Sequence, residues 1–258
     1  MNILCIGDVC GSIGCAFLRK QLPQLKRDRK IDMIIVNGEN SADGNGILPT
    51  SAKHIYDSGA HVITGGNHSF RRREVYTLLD DDPDLLRPAN YPPGAPGHGM
   101  TLVDFGYTTV AVINLLGTVY LDAVDCPFRT AERLVDEAKA QGAGVILIDF
   151  HAEATAEKRA LACALDGRIS ALFGTHTHVQ TADATVLPGG TGFITDLGMT
   201  GPIDSVLGVK AELAIAKMKS KLPVRFELAG GDCMLNGCVF EIDHKSGKCL
   251  SATPINLR

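Results

Sequence analysis

The chain has 258 residues, 45% of them hydrophobic and 21% charged, with 28 glycines and no tryptophan, a balance that excludes disordered and fibrous classes. A formal net charge of -4 lacks the broad positive field that long nucleic acids demand, so polyanions are not expected partners. No apolar run reaches the roughly 20 residues that span a bilayer, so no membrane partner is expected either.

In chain order, Asn2 to Ile6 is a short apolar run that predicts a buried strand, and Gly7-Asp8-Val9-Cys10-Gly11 turns it into a helix reaching Lys26. This opening reads as a strand rather than a signal peptide, and Cys5 inside it acts as a small hydrophobe. The eight cysteines contain no CxxC pair, which points to the reducing cytoplasm. Met33 to Val36 predicts a second strand, followed by Asn37-Gly38-Glu39-Asn40 and a glycine-rich loop at Ala42 to Gly46. Pro49 suits the first turn of a helix through Tyr56, and Val62 to Thr64 is a strand ending in Gly65-Gly66-Asn67-His68. Residues 85–99, rich in Pro and Gly, predict a long ordered loop.

The alternation continues. Thr109 to Ile113 runs into Asn114, Val145 to Ile148 into Asp149-Phe150-His151, and Ala171 to Phe173 into Gly174-Thr175-His176-Thr177-His178. Helices fit at 130–140 and 155–165, the second with Thr155 as its N-cap. Past Gly230 an alternating pattern around His244-Lys245-Ser246-Gly247 predicts an antiparallel hairpin. No linker, repeat or low-complexity tract interrupts the chain, so one domain over 1–258 is expected, of α/β class.

Ligands of open α/β sheets collect beyond the carboxyl ends of the strands, where most candidate residues fall. Asp8 alone, an aspartate after a strand, is more often a helix cap than a ligand. Glu is a poor turn former, so Glu39 with Asn40 fits plain turn chemistry badly. Asn67-His68 combines a glycine turn with a titratable imidazole, and His151 could be a satisfied core histidine. In an extended segment His176 and His178 would share one face, like a pair of ligands. Together, oxygen donors Asp8, Glu39, Asn40 and Asn67 and nitrogen donors His151, His176 and His178 exceed one tetrahedral site. Mixed donors without cysteine suit two ions of iron or manganese, with zinc as the alternative.

The blocks GDVCG at 7–11, NGEN at 37–40, GGNH at 65–68, DFHAE at 149–153 and GTHTHV at 174–179 resemble the calcineurin-like metallophosphoesterase superfamily. NGEN, RPANYP at 87–92 and TDLGMTGP at 195–202 narrow the resemblance to its YmdB-like family. The resemblance implies a four-layer α/β/β/α sandwich and hydrolysis of 2′,3′-cyclic nucleotides or related small phosphodiesters. It further implies that Asp8, Asn40 and His178 hold one metal, that Asn67, His151 and His176 hold the other, and that Glu39 bridges them. A metal-bridging hydroxide would attack phosphorus while His68, not itself a ligand, protonates the leaving alkoxide. A homo-oligomer is also compatible with this family.

The chain departs from the family at Ser69-Phe70-Arg71, where Thr-Trp-Asp is expected, and at Thr118, where arginine is more usual. Arg71, Arg72 and Arg73 either bind phosphate or form a solvated face. His98 is a candidate cover for the site, whereas Asp149, Glu153 and Asp196 read as supports. Two rival functions stay open: a phosphomonoesterase or nuclease using the same metals, and a regulatory metal-binding protein with little turnover.

Overall fold

Apolar runs without alternation predict strands buried on both faces, and the computed structural model, which describes residues 1–258, shows where each face goes. In β1 (Asn2–Ile6), Ile3 and Cys5 enter one core while Leu4 and Ile6 enter another. The strand β3 (Met33–Asn37) divides in the same way: Met33 and Ile35 face inward to the first of these cores, Ile34 and Val36 outward to the second. The same split recurs in β6 (Thr109–Leu116), β7 (Ala143–His151) and β8 (Ala171–Thr175), with Val110, Val112, Val145, Leu147, Ala171 and Phe173 sharing the core of Ile3 and Cys5. That shared core is the contact between two sheets.

The first sheet runs in the order β2 (Asp8–Val9), β11 (Met199–Pro202), β12 (Cys233–Ile242), β1, β3, β4 (Val62–Thr64), with β13 (Cys249–Leu257) also paired to β12. The second runs β5 (Met100–Asp104), β6, β7, β8, β10 (Gly192–Ile194), β9 (Thr185–Val186). Pairings β1–β3–β4 and β6–β7–β8–β10 are parallel, so their carboxyl ends collect at one edge of each sheet. Helices α1 (Gly11–Asp28), α2 (Pro49–Asp57) and α3 (Tyr76–Asp81) cover the outer face of the first sheet through Leu18, Leu22, Ile55 and Leu79. Helices α4 (Pro127–Ala140) and α5 (Thr155–Ala164) cover that of the second through Ala131, Val135, Leu161 and Ala162. The expected four-layer α/β/β/α sandwich results.

Several elements differ from the sequence reading. α4 starts at Pro127, a residue pre-organised for a first helical turn. Ala154, not Thr155, caps α5, without a side-chain hydrogen bond. The strand β6 runs on to Leu116, so Asn114 lies inside it, and His151 is the last residue of β7. Residues 85–99 form the expected loop, tied by isolated bridges Ile63↔Leu85 and Leu86↔His98. The hairpin β12–β13 closes the first sheet as expected. Before it, residues 203–232 leave the sheet and carry α6 (Ala211–Ser220). No helix is long and apolar enough to cross a membrane.

Candidate metal centre

The two carboxyl edges meet, and the seven residues read as ligands meet with them. Asp8 follows β1 and opens β2, Glu39 and Asn40 follow β3, and Asn67 follows β4, all on the first sheet; His151 ends β7, and His176 and His178 follow β8 on the second. Asp8, Glu39 and His151 are fully buried. Asn67 Oδ1 stands 3.0 Å and His176 Nδ1 3.1 Å from His151 Nε2, with Glu39 Oε1 at 3.3 Å. Two donors each about 2.1 Å from a shared ion, at a right angle, stand about 3 Å apart. This first group therefore fits one cation.

Beside it, His178 Nε2 lies 3.7 Å from Asp8 Oδ1 and 3.3 Å from Asn40 Nδ2, which donates to Glu39 Oε1 at 2.9 Å. His178 Nδ1 donates to the Leu207 carbonyl at 3.0 Å, which turns Nε2 towards Asp8 and Asn40. Asp8 Oδ1 is buried without any hydrogen-bond partner, a costly arrangement that a cation would relieve. Asn40 presents its amide nitrogen here while its Oδ1 meets His68 Nδ1 at 2.9 Å, so ligation by Asn40 requires the two amide atoms to exchange. With that one adjustment, Glu39 sits between two groups that could each hold an ion.

In the absence of an ion the acidic neighbours charge two of the histidines: burial works against it, but Glu39 and Asp8 raise His151, and Cys10, Asp8 and Glu39 raise His178 to about 10. Burial pushes the His176 imidazole down to about 3, helped by the neighbouring His151 charge, which keeps it neutral and able to ligate. Burial also raises the Asp8 carboxyl, against the pull of His178 and His151. For Glu39 burial acts in the same sense, but the charges of His151 and His68 and their hydrogen bonds hold it well below the usual carboxylate range. At Gly66 a Cβ would overlap Glu39 Oε2 and the His151 ring, so the backbone passes here only as glycine.

Three local readings of the sequence are overturned. His176 and His178 are not in an extended segment: β8 stops at Thr175, and both histidines take positive φ, 108° and 64°. Such backbone in non-glycine residues costs about 1–3 kcal/mol and persists where the surroundings over-determine it. Asp8 caps no helix, since Cys10 is the N-cap of α1 and Asp8 Oδ2 accepts from His176 N at 3.1 Å. His98 does not cover the centre; its Nε2 donates to the Asp80 carbonyl in α3 at 3.3 Å. Arg72 turns to the glycine-rich loop, donating to the Asp43 and Asn45 carbonyls.

The expected supports take definite partners. Asp149 accepts from Thr64 Oγ1, Asn37 Nδ2 and Thr175 Oγ1, and Thr175 Oγ1 also meets His151 Nδ1 at 2.9 Å, orienting that ring. Burial nevertheless raises Asp149 to about 6. Glu153 lies 3.0 Å from His176 Nε2. Asp196 accepts from Thr177 N and Gly198 N and pairs with Lys158 Nζ at 2.7 Å. Sequence reasoning missed Lys158, although its spacing from Leu161 and Ala162 assigns it to the buried stripe of α5. Thr118 stands against Glu157, both N and Oγ1 donating to its Oε1.

Comparison with known proteins gives the chain its relatives. A 2′,3′-cyclic-nucleotide 2′-phosphodiesterase of Bacillus subtilis (strain 168) is 48% identical over 250 residues, 97% of this chain and 94% of the relative. The crystal structure of a hypothetical protein from Thermus thermophilus superposes with a TM-score of 0.93 at 38% identity, covering 100% of this chain and 99% of that one. A structure described as a novel phosphatase from Mycoplasma pneumoniae reaches 0.94 at 32% identity, covering 100% and 93%. Residues 4–255 match the family described as YmdB-like protein. This chain belongs to the YmdB-like family.

Proposed function

We propose that this protein is a metal-dependent phosphodiesterase that opens the 2′ ester of nucleoside 2′,3′-cyclic phosphates. The observation that carries the reading is the convergence of six donor side chains from both sheets around buried Glu39, with Asp8 Oδ1 unpartnered among them. The 48% identity to a cyclic-nucleotide phosphodiesterase supports the substrate class. Asp8, Asn40 and His178 would hold one ion, Asn67, His151 and His176 the other, and Glu39 would bridge. Two such ions, iron or manganese with zinc as the alternative, would offset the charge of the anionic diester and lower the pKa of bound water towards about 7.

The chain supplies the rest. Phosphorus gains an oxygen from water as its bond to O2′ breaks, and the departing alkoxide needs a proton. His68 borders the cleft over the donors, and its Nδ1 is pinned 2.9 Å from the Asn40 side-chain amide and 3.1 Å from Glu39 Oε1. Its backbone N–H also donates to Glu39 Oε2. With Nδ1 engaged, Nε2 is the nitrogen left to give a proton to O2′. The product is the nucleoside 3′-monophosphate.

The test is hydrolysis of 2′,3′-cyclic AMP by manganese-reconstituted protein, with a nucleoside monophosphate as control and metal content determined. His68→Ala is expected to keep its metals and lose about 10²- to 10⁴-fold in kcat, whereas Glu39→Ala loses both. A metal-loaded wild type inert towards the cyclic diester overturns the reading. Turnover of the monoester alone makes the protein a phosphomonoesterase.

A further inference from the structure

Residues 203–232, between β11 and β12, expose an unusual amount of apolar surface. Of the ten large hydrophobic residues left exposed in the chain, five fall in this excursion: Leu207, Ile215, Met218, Leu222 and Phe226. Helix α6 itself buries only Ala214 among its ten residues, so its own packing does not account for its sequence.

Part of this surface faces the metal donors. Ala214, Lys217 and Met218 follow the i, i+3, i+4 spacing of one helix stripe, and this stripe, with Lys221 just past the helix end, borders the cleft lobe that also contains Glu39, His68 and His176. The lobe has a volume of about 780 Å³, within the range of about 300–1,000 Å³ usual for small-molecule sites. Phe226 borders both this lobe and its neighbour, which share His178 and Leu207. Lys217 Nζ stands 4.8 Å from the Phe226 ring centroid and steadies the ring at the cleft wall.

We infer that this excursion builds a nucleobase subsite, with Phe226 as the stacking ring and Leu207 and Met218 as the apolar wall. The inference rests on the phosphodiesterase reading and extends it from the phosphate to the rest of the substrate. A phosphate needs the donors and a ribose needs polar partners; neither needs an aromatic ring beside Leu207 and Met218. A base does, because it has a planar π-face and stands one ribose away from the phosphorus. Every base has such a face, so stacking on Phe226 admits purines and pyrimidines alike.

The experiment compares 2′,3′-cyclic AMP with base-free ribose 2,3-cyclic phosphate on the metal-loaded enzyme, for wild type, Phe226→Ala and Phe226→Tyr. Wild type should favour the nucleotide, and Phe226→Ala should reduce that preference about tenfold, the effect of one lost base–aromatic stack, through KM rather than kcat. Phe226→Tyr should restore it. Equal kcat/KM for both substrates in wild type, or an equal loss on both in Phe226→Ala, overturns the subsite. Calorimetry with adenosine 3′-monophosphate separates the two claims. If neither cyclic substrate is hydrolysed yet the nucleotide binds about tenfold more weakly to Phe226→Ala, the subsite stands and the phosphodiesterase reading falls; binding indifferent to Phe226 overturns the subsite.

Discussion

Lys158 and Asp196 are both fully buried, and their 2.7 Å contact sits behind the turn that carries His176 and His178. Asp196 also receives Thr177 N and Gly198 N, so its charge fastens backbone on both sides of β10. Removing the lysine strands a buried carboxylate, which typically costs about 3–5 kcal/mol. Lys158→Met is therefore expected to lower the urea midpoint sharply and weaken metal retention, because the positive-φ histidines lose their support. A double-mutant cycle with Asp196→Asn checks the attribution: a coupling energy near zero would mean that the pair does not hold the turn. Gly66→Ala separates site from fold in the opposite way. The added methyl meets Glu39 and His151 side chains rather than another strand, so metal content and activity should be lost while the circular dichroism spectrum is kept. Retained metal would refute the close approach.

Among elements, the short end of the second sheet depends on Asp183, which accepts from Thr195 N and Oγ1 and from Thr181 Oγ1. Burial alone would raise this carboxyl, but the hydrogen bonds from Thr195 and Thr181 outweigh it and hold the group below its ordinary value of 3.8. An acid depressed in the fold adds stability that is fully present above the unfolded value and lost as pH falls through the folded one. Asp183→Asn should thus cost about 1 kcal/mol at neutral pH, with a gap in Tm to wild type that closes as pH falls below that ordinary value; a gap independent of pH would remove the carboxylate from the account. The elements that could be read from sequence are those whose apolar runs have no alternative, β1, β3, β4, β7 and β8, because both faces of each are buried. Elements such as β2 and β11 could not, because they are two and four residues long and owe their pairing to distant partners, β11 for β2 and β12 for β11. The site divides likewise. Its ligand types stood out as polar residues closing apolar strands, whereas the φ values of His176 and His178, the hidden lysine and the apolar wall at Phe226 depend on contacts far apart in sequence.

At the scale of the molecule, the donors come from two sheets that no strand pairing joins: Asp8, Glu39, Asn40 and Asn67 from one, His151, His176 and His178 from the other. The sheets are also held by the apolar core around Ile3, Met33, Val112 and Phe173, and by Asp149, which accepts from Thr64 and Asn37 across the interface. Ions shared between them would therefore act as a staple across that interface and bind the folded chain far better than the unfolded one. Ligand bound at 100 times its Kd stabilises by about 2.7 kcal/mol, and in a chain of this size each kcal/mol moves Tm by about 2–4 °C. Chelation of the manganese-loaded protein should accordingly lower Tm by roughly 5–10 °C in a single transition, since both sheets lose the same connection at once. In Glu39→Ala the increment should vanish, because the carboxylate between the two groups is gone. If the wild type melts at the same temperature with and without metal, the donors do not form a shared centre; if only part of the chain shifts, the ions belong to one sheet and the staple across the sandwich is wrong.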